Sequence, residues 1–276
     1  MVRNRSDSEL WDRLYNGFYN EICKSCFHLM HERAEIGQPE PIPYIGPNFI
    51  KDEHRLMFVG IETYGNTIRK DFNETRYNPF EQNHLENLFF KRKSGGIQNS
   101  PFWNWVNFIS TKVLSPGNPE EAFSRIAYSN LHKCQLRRKG STDDDFYKPS
   151  YQFDEDLSRN CINKVGWIYR EIDAIEARNV IIFAGRRYNG LLAKIFLGYD
   201  VDTSIRKFNY DKFDLLPNQR ENWKDRDIFV HLRNGSRRFI VTNHPQGTPS
   251  LIRDEIVRII KENDWSGSET WDMPKF

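Results

Sequence analysis

The sequence predicts an α/β fold: a three-layer α/β/α sandwich around a central, mostly parallel four-stranded sheet. Three observations carry the prediction. Four short apolar runs, beginning with Leu56 to Gly60 inside "RLMFVGIETYGN", read as strands buried on both faces. The others are "RIAYSNL" (Arg125 to Leu131), "NVIIFAG" (Asn179 to Gly185) and "RRFIVTN" (Arg237 to Asn243). Helical patterns alternate with these runs, which implies parallel strands with helices on both faces. Each run also turns polar at its carboxyl end.

Taken in order, Ser6 and Glu9 form a capping box, and Leu10, Leu14, Phe18, Ile22 and Phe27 recur at helical spacing to about Arg33. "GQPEPIPYIGPNF" carries four prolines and is expected to lack regular structure. The first strand is followed by a polar and aromatic insert, 67–99, with no assignable pattern. Ser100 then caps a helix whose first position is Pro101, leading into "FWNWVNFISTKVL". After the second strand comes a polar stretch with Asp143, Asp144 and Asp145, then a helix from about Asp154 to Ala177 and the third strand. "YNGLLAKIF" reads as helix and 198–236 as a charged, irregular insert. The last strand precedes an amphipathic helix, "TPSLIRDEIVRIIKEN". No internal repeat occurs, so 1–276 reads as a single domain with 1–50 as an N-terminal helical extension and Pro-rich segment.

At 276 residues, 38% hydrophobic and 14% aromatic, the chain can bury a large core. A net charge of +2 is too mild to establish a polyanionic partner by itself, although basic clusters stand at 91–93, 137–139, 186–187 and 237–238. The N-terminal "MVRNRSDSELW" has no apolar signal region, and no stretch approaches the ~18 apolar residues of a membrane span. The expectation is a cytoplasmic chain with no membrane partner, acting as a monomer.

In open parallel sheets ligands bind beyond the carboxyl ends of the strands. The four strands deliver Glu62 and Tyr64, Asn130 and His132, Gly185 and Arg186, and Asn243 and His244 to that rim. An acid, two histidines and amides converging on one edge predict a site.

These residues carry a resemblance. "VGIETYG" resembles the water-activating motif of the uracil-DNA glycosylase superfamily, with Glu62 on the aspartate and Tyr64 on the tyrosine. "AYSNLHKC" resembles the strand whose asparagine reads the pyrimidine edge, here Asn130. "VIIFAGRRY" resembles the glycine turn that approaches a DNA phosphate, and "TNHPQG" the late His-Pro-Ser motif, with His244 on the catalytic histidine. The four occur in family order over roughly residues 55–263. The resemblance implies a uracil-DNA glycosylase-like fold and a DNA glycosylase that hydrolyses the N-glycosidic bond of a flipped pyrimidine. Glu62 would hold the attacking water and stabilise the sugar cation; His244 would donate to the base O2 as charge builds there. Asn130 and Tyr64 would hold the base, with Phe72, Phe80, Phe89 and Phe90 as candidates for the opposing wall and Phe80 and Phe90 favoured. Ser100, Gly185, Arg186, Gln246 and Gly247, with Thr248, are candidate DNA contacts, and Leu251 is a candidate wedge.

The four cysteines, Cys23, Cys26, Cys134 and Cys161, match the order in the iron-sulfur branches of that superfamily: a C-x-x-C pair before the first strand, a third after the asparagine strand and a fourth early in the next helix. Four thiolates suit a [4Fe-4S] cluster, and tetrahedral zinc would also satisfy them.

Several positions depart from the family pattern. Glu62 is one methylene longer than aspartate, Thr63 replaces a proline, Gly65 a histidine and Gln246 a serine. With the two inserts flanking the cleft, these departures favour a 5-substituted cytosine, such as the glucosylated hydroxymethylcytosine of phage DNA. That role would be anti-phage defence. The alternatives are a uracil-DNA glycosylase of repair, a non-catalytic reader of modified DNA, or an enzyme acting on free nucleosides or nucleotides.

Overall fold

Four apolar runs lie side by side in the computed structural model of the chain. The structure describes residues 34–37, 44–60, 68–69, 89–90, 100–131, 136–138, 167–184, 229–233, 237–246 and 248–262. The strands are β1 (Ala34–Gly37), β2 (Tyr44–Ile45), β3 (Leu56–Gly60), β4 (Ile68–Arg69), β5 (Ala127–Asn130), β6 (Leu136–Arg138), β7 (Asn179–Ala184), β8 (Phe229–Arg233) and β9 (Arg237–Asn243). The helices are α1 (Pro101–Leu114), α2 (Pro119–Ser124), α3 (Trp167–Ala174) and α4 (Ser250–Lys261).

The main sheet has the order β2-β5-β3-β7-β9-β8. Its centre, β5-β3-β7-β9, is parallel throughout, and the two edge strands are antiparallel. The sheet is therefore six-stranded rather than four-stranded. The predicted runs supply its centre, and the edges come from segments read as irregular: β2 lies inside the proline-rich span, and β8 inside the 198–236 insert. A second, antiparallel sheet, β4-β1-β6, takes one strand from the 67–99 insert.

Alternation along the central strands divides the core in two. Leu56 and Phe58 of β3, Ile181 and Phe183 of β7 and Ile240 of β9 pack with Phe102, Trp105, Val106 and Ile109 of α1, Phe123 of α2, and Ile252, Ile256 and Ile259 of α4. On the other face Met57, Val59, Val180, Ile182, Phe239 and Val241 pack with Ile168, Tyr169 and Ile172 of α3. Burial on both faces is why these strands read as continuous apolar runs. Helices cover both sides, as the alternating pattern predicts.

Local signals set the helix ends. The Ser100 hydroxyl accepts from the Trp103 N–H at 3.5 Å, and Pro101 takes the first position of α1, where no donor is needed. α2 repeats the device: Asn118 Oδ1 accepts from the Glu121 N–H at 3.1 Å ahead of Pro119. In α4, Ile252, Ile256, Ile259 and Ile260 form the buried stripe and Arg258 and Lys261 occupy the last turn, where cations oppose the helix dipole. The N-terminal helix expected over 6–33 and the one over 188–196 lie outside the described residues, as does the amino-terminal part of the 154–177 helix. No helix among the described residues is long and apolar enough to cross a membrane.

Candidate functional site

The carboxyl ends of the central strands stop together. Gly60 is level with Asn130, Val59 with Ile182, and Ala184 with Asn243. In chain order the central strands run second, first, third, fourth, so the direction of winding reverses between β3 and β7. The crevice outside that reversal is where open α/β sheets bind ligands.

Phe102 stands over this crevice from the first turn of α1. Its ring centroid is 5.5 Å from Tyr128, 5.4 Å from Phe183 and 6.4 Å from His244, nearly parallel to the imidazole at 23°. A Cβ at Gly60 would lie 3.6 Å from the Phe102 ring and 2.5 Å from Asn130 Oδ1. Only glycine leaves that space, so the carboxamide of Asn130 can lean over β3. The Tyr128 hydroxyl donates to Asn130 Oδ1 at 2.8 Å, and both residues are buried. Leu131 N–H to Gly60 O, at 2.9 Å, carries the pairing one step past the strand end. On the opposite face the Ser129 hydroxyl donates to Glu171 Oε2 of α3 at 2.6 Å, with both side chains buried.

His244 follows β9 directly. Burial lowers its pKa, which favours the neutral imidazole at neutral pH. The Gln246 N–H donates to Nδ1 at 3.2 Å, so the ring proton sits on Nε2, leaving that nitrogen as the donor. Thr248 Oγ1 donates to the His244 carbonyl at 2.6 Å and the Thr248 N–H to Pro245 O at 3.1 Å, which fixes the turn between β9 and α4. Two residues earlier, on the face of β9 that carries Ile240, Thr242 is buried with no hydrogen-bond partner for its hydroxyl among the described residues.

Of the predicted site residues, the structure brings Asn130 and His244 to one rim, on either side of Phe102. Ser100 caps α1 at the same end. Gln246 acts through its backbone, and its side chain is exposed. Phe89 is fully buried in the core, which removes it as a wall of the pocket. Phe90 meets Phe89 edge-on at 5.0 Å and lies 5.6 Å from Phe123, so its described ring contacts are with that core. Glu62, Tyr64, Phe72, Phe80, His132, Gly185, Arg186 and Gly247 lie outside the described residues, as do Cys23, Cys26, Cys134 and Cys161. No group of three His, Cys, Asp or Glu side chains placed to hold a metal occurs among the described residues.

Sequence reasoning passed over Tyr128, Phe102 and Gly60. Signals for them were present: Tyr128 is two residues before Asn130, hence on the same strand face, and Phe102 immediately follows the capping pair. No protein-family model matches the chain, and no curated protein matches it significantly in sequence.

Proposed function

We propose that the chain is a DNA glycosylase that hydrolyses the N-glycosidic bond of a flipped, modified pyrimidine and leaves an abasic site. One observation carries the reading: a buried carboxamide, Asn130, and a neutral histidine with a donor nitrogen at Nε2, His244, flank one aromatic ring at the crevice between β3 and β7. Cleaving such a bond leaves an anionic base and an oxocarbenium-like sugar. A neutral imidazole whose Nε2 carries the proton suits donation to the base O2 as negative charge builds there. An amide has both donor and acceptor atoms, which matches a pyrimidine edge. Glu62, just beyond the strand that ends at Gly60, is the proposed water-positioning carboxylate, and Tyr64 with Phe80 or Phe90 the proposed walls.

The favoured substrate is a 5-substituted cytosine such as the glucosylated hydroxymethylcytosine of phage DNA, which points to anti-phage defence in the cytoplasm. The four cysteines form the proposed ligand set of a [4Fe-4S] cluster, and as thiolates they fit zinc equally well. Either metal would be structural, tying the segment with Cys23 and Cys26 to the chain after β5 and ahead of α3. Iron, sulfide and zinc counted on anaerobically purified protein decide it, and folded, active, metal-free protein rules out both.

The deciding experiment measures base release by mass spectrometry from glucosylated phage DNA, its unglucosylated counterpart and uracil DNA. Release from the first alone supports the reading. Release from uracil DNA alone assigns a repair enzyme, and tight binding without release from any substrate assigns a reader of modified DNA.

A further inference from the structure

Three hydrogen bonds close the turn that carries His244 out of β9. The Gln246 N–H donates to the imidazole Nδ1 at 3.2 Å, the Thr248 N–H to the Pro245 carbonyl at 3.1 Å, and the Thr248 hydroxyl to the His244 carbonyl at 2.6 Å. Each has only one possible direction. A backbone N–H can only donate and a backbone carbonyl can only accept, so the Thr248 hydroxyl gives its single hydrogen to His244. Both donors of Thr248 are therefore engaged inside the turn. A phosphate offers acceptors alone, so neither donor is left for a DNA backbone passing the amino end of α4.

Gln246 keeps Nδ1 in its acceptor form only while its N–H points back at the imidazole, and two of the three bonds that close the turn around it come from Thr248. The start of α4 cannot replace them, because the residue before its first turn is Pro249, which has no N–H and makes no side-chain cap. Resting on the glycosylase reading above, we infer that Thr248 is a positioning residue for His244: it closes the turn that presents the Gln246 N–H to Nδ1, and so keeps the donor proton on Nε2. Thr248 acts on the ring through Gln246 and holds neither base nor phosphate. Its loss lowers kcat and leaves KM alone.

The test starts from Thr248→Val, which keeps the side-chain shape and removes the hydroxyl. On the DNA that the wild type cleaves best, kcat for base release should fall about 3- to 10-fold, the size of one neutral hydrogen bond, with KM and the dependence of binding on salt unchanged. Thr248→Ser should restore the rate. Two readouts need no DNA. The Gln246 amide should exchange its hydrogen with solvent faster in the valine variant, and 15N spectra of the His244 ring should show an Nδ1-protonated share absent from the wild type; serine should reverse both. Thr248→Ala carries the same test if the valine variant does not fold. A folded variant with wild-type amide exchange and ring spectra overturns the inference. So does a valine variant whose KM rises and whose salt slope falls by about one while kcat holds, since that marks a phosphate contact. If exchange and ring spectra change as expected but the wild type releases no base from any of the three DNAs, the glycosylase reading fails and takes the role in base release with it, while the turn lock stands.

Discussion

At the amino end of the central sheet Asp52 is buried, accepting from Arg125 Nε at 2.5 Å and from the His54 N–H at 2.8 Å, while Arg125 also donates to Leu114 O at 2.6 Å. Arg55 pairs with Glu176, Asn179 Nδ2 donates to His54 O at 2.5 Å, and the Arg178 N–H to Arg55 O at 3.1 Å. At the carboxyl end the side chains of Tyr128, Asn130, Thr242 and a neutral His244 are uncharged, and Phe102 and Phe183 lie beside them. At the first end Arg125 pairs with Asp52 and Arg55 with Glu176, although Arg55 Nε and Asn179 Oδ1 are buried without a partner among the described residues. Among the described residues the second end offers uncharged hydrogen-bonding atoms in apolar surroundings, where a ligand's polar groups are felt strongly. One end ties the strands together through charge pairs; the other is the end at which the proposed site lies.

The sharpest way to break that contrast is to disable each end in turn. His244→Ala should lower base release by about 10²- to 10³-fold, the cost of one lost donor at a developing charge, with the melting temperature little changed. A variant that releases base at the wild-type rate would remove His244 from the chemistry. Asp52→Ala should do the opposite: it leaves Arg125 without its buried partner and costs about 3 kcal/mol of folding stability, read by urea denaturation, while activity per folded molecule stays the same. A stability loss below about 1 kcal/mol would show that this end is not fastened by the pair.

Between the two lies the Ser129–Glu171 contact beneath Asn130. Ser129→Ala should cost about 1 to 3 kcal/mol, since it strips a buried carboxyl group of a hydrogen bond. An unaltered melting curve would mean that the contact contributes nothing.

The neutral state of His244 can be read from pH. Its folded-state pKa is lowered by burial, so between that value and the ordinary histidine value near 6.5 the unfolded chain binds the extra proton. The stability it contributes is present above about pH 6.5 and is lost as pH falls through the folded-state value. Measured from pH 7.5 to 5, wild type should lose stability relative to His244→Gln. Parallel curves would show that the imidazole is not held neutral.

The central strands were legible because both faces are buried, which leaves an unbroken apolar run and no ambiguity of period. α1 and α4 were legible from Ser100-Pro101 and from the isoleucine stripe. The edge strands were not: β2 is two residues long and surrounded by prolines, and β8, "FVHLR", mixes polar and apolar positions without a clear period. Their pairing is supplied by β5 and β9, which no local pattern announces. At the site, Asn130 and His244 could be read as polar residues ending apolar runs. Tyr128 and Phe102 carried only positional signals, two residues before Asn130 and directly after the capping pair, and their part in the rim depends on register across three strands and on where α1 begins.

The smallest expected effect tests the contrast at its weakest point. Thr242 is 1% exposed, on the face of β9 that carries Ile240 and beside Phe183, and its hydroxyl has no hydrogen-bond partner among the described residues. A buried hydroxyl without a partner carries a desolvation cost that valine, nearly the same shape, would not. Thr242→Val should therefore stabilise the fold by up to about 1 kcal/mol and leave base release unchanged, because strand and side-chain volume are preserved. If the variant were instead destabilised at unchanged activity, the hydroxyl would be holding an ordered water in the core. Reduced activity at unchanged stability would extend the ligand-holding end one row deeper into the sheet, from His244 to Thr242. The sign of so small a change locates the boundary between the part of β9 that serves the core and the part that serves the crevice.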